Sequence, residues 1–372
     1  MARPRDPLWL SNPSRFALLK QGRARTALLL LAAFLLLCLT ALSVAGPPPV
    51  SHNPANRAQD QADVMLYESI VAGVRGGGDY YAVAAAALRA GDYPLRPFVT
   101  FRLPTLAIVE AFLPAPFVLL LLYGLATGVV AAWFVRLRPA LSRAPPLGIA
   151  LALLAGGMVA FVQPSLAPFH EIWAGLLIAL SLALRRPGRW IEAAAIAMIA
   201  MLVRETAALY VIVMGGMALI EGYRREAIGW AATLVVLAGV VAAHAFAVAH
   251  VVGPLDPASP GWVGMLGFGF FVKTMTISTA LNLAPAWAAA LLVGLALFGW
   301  ASWTDPIARR ALMIFAAYAV LLSLFGRPDT FYWGLLVAPT LLIGLAFAPD
   351  GLRDLYVAAL DSRRITVTRS VR

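Results

Sequence analysis

The chemistry-bearing residues of this chain form three small groups separated by long apolar runs. The first lies in ADVMLYESIVAGVRGGGDYY, which holds Asp63, Glu68, Asp79, Tyr80 and Tyr81. The second is His170-Glu171, at the end of the connector QPSLAPF. The third is a set of cations standing near the ends of apolar runs: Arg204 beside Glu205, Lys273, and Arg327 two residues before Asp329. A positioned carboxylate can take a proton from an attacking hydroxyl. Arg offers planar paired donors to a phosphate, and Lys a point charge, so the three cations together suit an anionic headgroup. Each group also has a plainer reading. Asp63 and Asp79 stand where helix N-caps are expected. Tyr80 and Tyr81 suit an interfacial aromatic belt, and Glu171 suits the first turn of a helix. Arg204 has Glu205 or Glu171 as a candidate ion-pair partner, and Arg327 has Asp329. One His beside one Glu is a weak metal signal. No metal-ligating residue is assigned; a divalent ion is left open and no other cofactor is called for.

The elements that must position these groups are greasy. Of 372 residues, 61% are hydrophobic and 13% charged, with mean hydropathy +0.82. A soluble chain carries about 25% charge. The fold class is therefore an all-α polytopic membrane protein, with about ten transmembrane helices. The spans are expected at residues 26–45, 106–135, 146–162, 170–184, 190–203, 206–221, 227–251, 285–302, 310–326 and 331–349. Pro114 and Pro116 split the second into a surface-lying piece and a true span. The stretch 263–283 reads as re-entrant or as an extra span. Three regions follow: a basic cytoplasmic N-terminus (1–25), a transmembrane domain (26–349) and a basic cytoplasmic tail (350–372). The first apolar run is long enough to cross a bilayer and is expected to be retained rather than cleaved. Cys38, the only cysteine, lies inside it. That rules out an intrachain disulfide and a cysteine-based metal site.

With the N-terminus inside, 21 of the 29 Lys and Arg residues fall on cytoplasmic connectors. That is the positive-inside bias, and it places the chain in a bacterial-type inner membrane with both termini cytoplasmic. The +11 net charge is dispersed over short connectors rather than gathered on one face, which argues against nucleic acid. The cytoplasmic charges read as a solvated rim. The long polar interval 46–104 is the first outer loop. Apolar residues at Val64, Tyr67, Val71 and Val74 give helical spacing, Gly76-Gly77-Gly78 ends that helix, and a second runs from Asp79 to Gly91. Both are expected to lie on the membrane surface, apolar side down. No phosphate-binding Gly loop, serine elbow, HExxH or CxxC is present. Any chemistry therefore belongs to the outer face.

One span leading straight into a long outer loop with surface helices, ADVMLYESIV followed by GGGDYY, resembles the GT-C superfamily of polyprenyl-phosphate-sugar-dependent glycosyltransferases. So do the outer cations in LVRETAALY and FGRPDTFYW. The resemblance implies that an acid early in the loop, best matched by Asp63, is the catalytic base. It implies that Arg204, Lys273 and Arg327 hold the lipid phosphate, with His170-Glu171 among the active-site polar groups. A sugar would pass from a polyprenyl-phosphate donor to a hydroxyl on a glycan, lipid or protein, with inversion. The loop lacks the paired acids of that superfamily, having Asp60 and Asp63 with Glu68, so the base stays open between Asp63 and Asp79. Two other functions fit the composition: a lipid or amphiphile transporter, and a non-catalytic membrane subunit.

Overall fold

The computed structural model describes residues 6–45 and 62–360, and among these it is helical with no strand. The helices in chain order are α1 (Gln21–Cys38), α2 (Ala62–Arg75), α3 (Tyr80–Ala90), α4 (Thr105–Phe112), α5 (Ala115–Leu137), α6 (Ala144–Gly157), α7 (His170–Leu184) and α8 (Ile191–Val203). Then come α9 (Ala208–Ile220), α10 (Arg224–Ala249), α11 (Phe268–Ile277), α12 (Ala286–Ser302), α13 (Pro306–Phe325), α14 (Ala338–Leu341) and α15 (Ala348–Leu360). Among the described residues four helical stretches are long and apolar enough to cross a membrane: Gln21–Leu42, Ala115–Leu137, Arg224–Ala249 and Pro306–Phe325. The first covers about 33 Å at 1.5 Å per residue. Leu29, Leu30, Leu120, Leu121, Val235 and Phe246 on these helices face outward. Apolar side chains exposed around a long helix suit a hydrocarbon solvent rather than water.

Two of the shorter apolar helices, α7 and α12, form much of the interior. Twelve of the fifteen residues of α7 are buried, and ten of the seventeen of α12. At the centre lies a broken element, Pro328–Leu336 followed by Ala338–Ala346, bent by 61°. Pro339 accounts for the break: it has no N–H to donate and its ring crowds the carbonyl of Leu335, four residues back. That carbonyl approaches α7 at Gly175, where a Cβ would come within 2.4 Å of it. On the other side Gly344 meets α12, and a Cβ there would lie 2.0 Å from the Ala296 carbonyl oxygen. Irregular backbone survives at membrane depth only where protein covers it, and residues 333–344 are buried throughout.

Several expectations need correction. The apolar faces of α2 and α3 do not look down onto a bilayer. Ile70, Val71, Tyr80, Ala84, Leu88, Leu95 and Phe101 form a small core of their own, closed by Ala107 of α4 and Val248 of α10. Arg75 binds this layer down by donating to the carbonyls of Glu110 (2.7 Å) and Ala111 (3.2 Å), the end of α4 where helix carbonyls lack partners. The stretch 263–283 contains only the ten-residue α11 and one 3₁₀ turn, about 15 Å of helix and too short to cross. The opposite face is not merely a solvated rim. Arg185 and Arg310 are buried and share Glu226 (2.8 and 3.0 Å), while Glu221 pairs with Arg310 at 2.7 Å.

The described parts of the two terminal regions are also not free tails. Asp350 accepts hydrogen bonds from the backbone N–H groups of Leu8, Trp9 and Leu10 (2.6–2.9 Å), and Asp354 accepts one from Ser14. These carboxylates fasten residues 8–14 under α15. The close packing around the broken element gives a test of the core. Gly344→Ala is expected to lose about 1–3 kcal/mol of stability through overpacking. Gly128→Ala on α5, where no atom lies within 4 Å, is expected to be neutral or to gain up to about 1 kcal/mol from helix propensity. Thermal unfolding of the two variants in detergent checks both.

Candidate active site

The site is built where the α2–α3 layer meets one end of the bundle. Asp63 lies in the first turn of α2 and accepts a hydrogen bond from the Tyr93 hydroxyl at 2.7 Å. Burial and that bond hold the Tyr93 hydroxyl well above its usual pKa, so it stays a donor to the carboxylate. Behind Asp63, Arg102 is held by its flanks: its Nε donates to the Tyr67 hydroxyl (3.2 Å), and its carbonyl accepts from Tyr80 (2.7 Å). Arg204 ends α8, where the helix gives way to extended backbone before the turn Glu205–Ala207. It is 2% exposed and bonds Glu171 at 2.5 Å and also its neighbour Glu205. Arg327 caps the broken element, forks onto both oxygens of Asp329 (3.0 and 2.7 Å) and donates to the Gly261 carbonyl (3.0 Å).

These groups line one cleft of about 720 Å³. Asp63, Arg102, Arg204, Glu205, Arg327 and Asp329 stand on its wall with Tyr93, Trp262 and Tyr332. Its rim is fixed by a strap across residues 95–96 and 256–259. Leu95 donates to the Pro257 carbonyl, Ser259 to that of Arg96, and the Arg89 guanidinium grips Asp256 at 2.7 and 2.8 Å. That grip holds the Asp256 carboxyl down at about 2.

A second, more enclosed cavity of about 110 Å³ opens off the same wall. Asp63, Tyr93, Arg102 and Tyr332 border both spaces. His170, Tyr67, Tyr80 and Glu110 line the inner one alone. His170 is buried under the edge of the Tyr67 ring, 5.1 Å between centroids.

Not every expected residue arrives there. Asp79 is the N-cap of α3, its Oδ1 accepting from the Ala82 N–H at 3.0 Å, and it lines neither space. Glu68 points outward on α2. Tyr81 leaves the site to share a hydrogen bond with His244 Nδ1 at 3.2 Å. Lys273 is half-buried on α11, away from both spaces. Glu171 lies beneath the wall as the buried partner of Arg204. Asp60 lies outside the described residues. Among the described residues no three His, Cys, Asp or Glu side chains gather as metal ligands, so the open question of a divalent ion gains no ligand set.

Sequence reasoning overlooked Arg102, Glu110, Tyr67 and Tyr332 as site residues. Arg102 carried a faint signal: a cation two residues before Pro104, at the lip of an apolar run and without an acid beside it. Among the described residues it makes no ion pair, unlike Arg204 and Arg327. Comparison of the chain with protein-family models, with curated proteins and with solved structures finds no match in any of the three.

Glu110 lies on α4, ahead of the break at Pro114 and outside the long apolar helix. It is 6% exposed and its Oε1 has no partner among the described residues. Burial pushes its carboxyl up to about 7, against a smaller pull from Arg75. A carboxyl whose folded value lies above its unfolded value binds its proton more tightly when folded. Its contribution to stability is therefore present below about pH 4.5 and is lost as pH rises toward 7. Wild type is expected to lose on the order of 3 kcal/mol more than Glu110→Gln between pH 4.5 and 8. Unfolding curves of both proteins at matched pH values give the comparison.

Proposed function

We propose that this chain is an integral membrane glycosyltransferase of the GT-C kind, using a polyprenyl-phosphate sugar at its outer face. The observation that carries the reading is the single cleft bringing Asp63 together with Arg102, Arg204 and Arg327. Their chemical roles differ. Glu171 and Glu205 offset Arg204, and Asp329 offsets Arg327. Arg102 is the cation with charge to spare, so it meets the lipid phosphate, while Arg204 and Arg327 shape the wall and orient its oxygens. The acceptor hydroxyl attacks the anomeric carbon and gives its proton to Asp63. The bond from that carbon to the phosphate oxygen breaks, and the departing phosphate gathers charge facing Arg102. Tyr93 steadies Asp63 through the bond it donates. Stabilising charge that develops on a leaving group is often the largest contribution to catalysis. Attack opposite the phosphate inverts the anomeric centre.

The topology that goes with this reading has ten passes: the four long stretches, the broken element, and α6 to α9 and α12 crossing inside the bundle. Both termini are cytoplasmic in a bacterial-type inner membrane, as the charge asymmetry of the connectors favours. The acceptor is a glycan, lipid or protein hydroxyl. A transporter calls for polar groups leading to both faces. Here the buried charges of the opposite end, Arg185, Arg310 and Glu226, are spent on one another, which favours the enzyme.

The test is transfer by purified protein in nanodiscs supplied with radiolabelled polyprenyl-phosphate sugars. Asp63→Asn is expected to lower the rate about 10²- to 10⁴-fold. Arg102→Gln is expected to lower it about 10²- to 10³-fold, and Asp79→Asn to leave it within about twofold, since a capping change acts on helix stability alone. An Asp63→Asn protein with wild-type transfer removes Asp63 as base, and no transfer from any donor by wild type removes the enzyme reading.

A further inference from the structure

A groove and a group of cations stand together at the end of the bundle opposite the cleft. α13 runs from one to the other, about 30 Å over its 20 residues. The groove holds about 320 Å³, and every side chain lining it is apolar. α1 gives it Ala27, Leu30 and Phe34, α12 gives Phe298, and α13 gives Leu312. Phe16, just ahead of α1, lines it too, stacked on Phe298 with 5.2 Å between ring centroids. Leu30 is 64% exposed, so the groove is open sideways, toward lipid in a membrane. From Ala27 to Phe34 the α1 wall covers about 10 Å. That is within one leaflet of a hydrocarbon core about 30 Å thick.

The cations continue the same faces. On α1, the exposed Arg23 lies one turn before Ala27, on the stripe that Leu30 and Phe34 carry on. On α13, Arg309 lies one turn before Leu312. Arg15 precedes Phe16 and is held in place. Its backbone N–H donates to the Ser302 carbonyl (2.8 Å) and its guanidinium to that of Trp303 (2.9 Å). Capping the end of α12 in this way uses only part of what a guanidinium can donate, and among the described residues Arg15 makes no ion pair. Arg309 reaches Glu221 at 3.9 Å, but that acid already holds Arg310 at 2.7 Å. Asp305, at the start of α13, is likewise taken by Arg136 at 2.7 Å. Burial and, after it, nearby Arg309 lower the Arg15 pKa, so the two guanidinium groups stand close enough to repel. A negative group between them removes that cost.

An apolar slot with cations gathered at one end suits an amphiphile with an anionic head. We propose that this groove binds one anionic glycerophospholipid of the bilayer, with an acyl chain between α1 and α12 and its phosphate between Arg15 and Arg309. The site needs only that the chain lies in a bilayer and does not depend on the transferase reading. It is separate from the cleft, at the far end of α13. Bound there, the lipid bridges α1, α12 and α13 and stabilises the folded state by mass action.

The test titrates the purified chain in non-ionic detergent with phosphatidylglycerol or with phosphatidylcholine of the same acyl chains. Native mass spectrometry counts the lipids retained. One phosphatidylglycerol is expected to be retained at concentrations about tenfold or more below those phosphatidylcholine needs. It is also expected to raise the thermal unfolding midpoint where phosphatidylcholine does not. Arg15→Gln combined with Arg309→Gln is expected to weaken that retention about tenfold or more. Ala27→Phe, which fills the slot and keeps the cations, is expected to weaken it as much. Arg138→Gln, an exposed cation at the same end of the bundle, is expected to leave it within about twofold. Either slot variant suffices if the other fails to fold, as judged by unfolding without added lipid. Equal retention of the two lipids, unchanged retention in a folded slot variant, or an equal loss in Arg138→Gln overturns the proposal. So does retention of a polyprenyl phosphate in preference to phosphatidylglycerol, which would give the groove to a different lipid.

Discussion

A broken helix at the centre of an apolar bundle is the constraint on which the rest depends. Between Pro328 and Ala346 the backbone turns by 61° and runs largely as 3₁₀ helix, a form whose hydrogen bonds are poorer than those of an α-helix. In hydrocarbon each unmet carbonyl or N–H costs several kcal/mol. The neighbours must therefore come close enough to exclude lipid. Gly175 of α7 and Gly344 of the broken element give that approach, one against the Leu335 carbonyl and the other against that of Ala296. The reward is positional. Arg327, Asp329 and Tyr332 stand at the start of this element and so are fixed at the cleft rather than hung from a mobile loop.

The electrostatics follows from the same enclosure. A guanidinium sealed from water needs a carboxylate, and Arg204 has two. Removing both carboxylates would leave a charge that the surroundings cannot solvate. Such paired cations define shape and dipole direction, and they have little charge left for a ligand. Arg102 differs because its side chain hydrogen-bonds a hydroxyl rather than a carboxylate. The cleft thus separates two tasks that a plain count of cations merges: holding the wall and answering an anion. Asp63 completes it from the other side, on a helix pinned by Arg75 and by the Tyr93 hydroxyl.

Much of this was legible in the residues. The long leucine-rich run of α1 and the valine- and alanine-rich run of α10 are apolar over enough length to declare themselves. The Gly76-Gly77-Gly78 stop between α2 and α3 did so too, since Gly77 adopts a left-handed φ of +89°. The local pairs of Arg204 with Glu205 and of Arg327 with Asp329 were readable because their partners are one and two residues away. Asp79 as an N-cap was readable for the same reason. What could not be read were contacts between distant segments. The Asp350 carboxylate on Leu8, Trp9 and Leu10 closes the two ends of the chain on each other, and no local pattern marks it. The opposite-face cluster looked like a solvated rim because Arg185, Glu226 and Arg310 are far apart in sequence.

By itself, then, the sequence determined the solvent this chain is built for, the helical class, and the long polar interval 46–104 as a place where polar residues gather. Those are properties of composition and short periodicity, summed over neighbours. Only the tertiary structure decided which polar residues share a cavity. It turned Glu68 outward and Tyr81 toward His244, left Asp79 as a cap and Lys273 apart, and drew Arg102, Glu110 and Tyr332 in. The physical reason is that a side chain's role depends on which other groups lose their water with it. That is settled by packing between segments up to some 270 residues apart, such as Asp63 and Tyr332 on the two walls of one cleft.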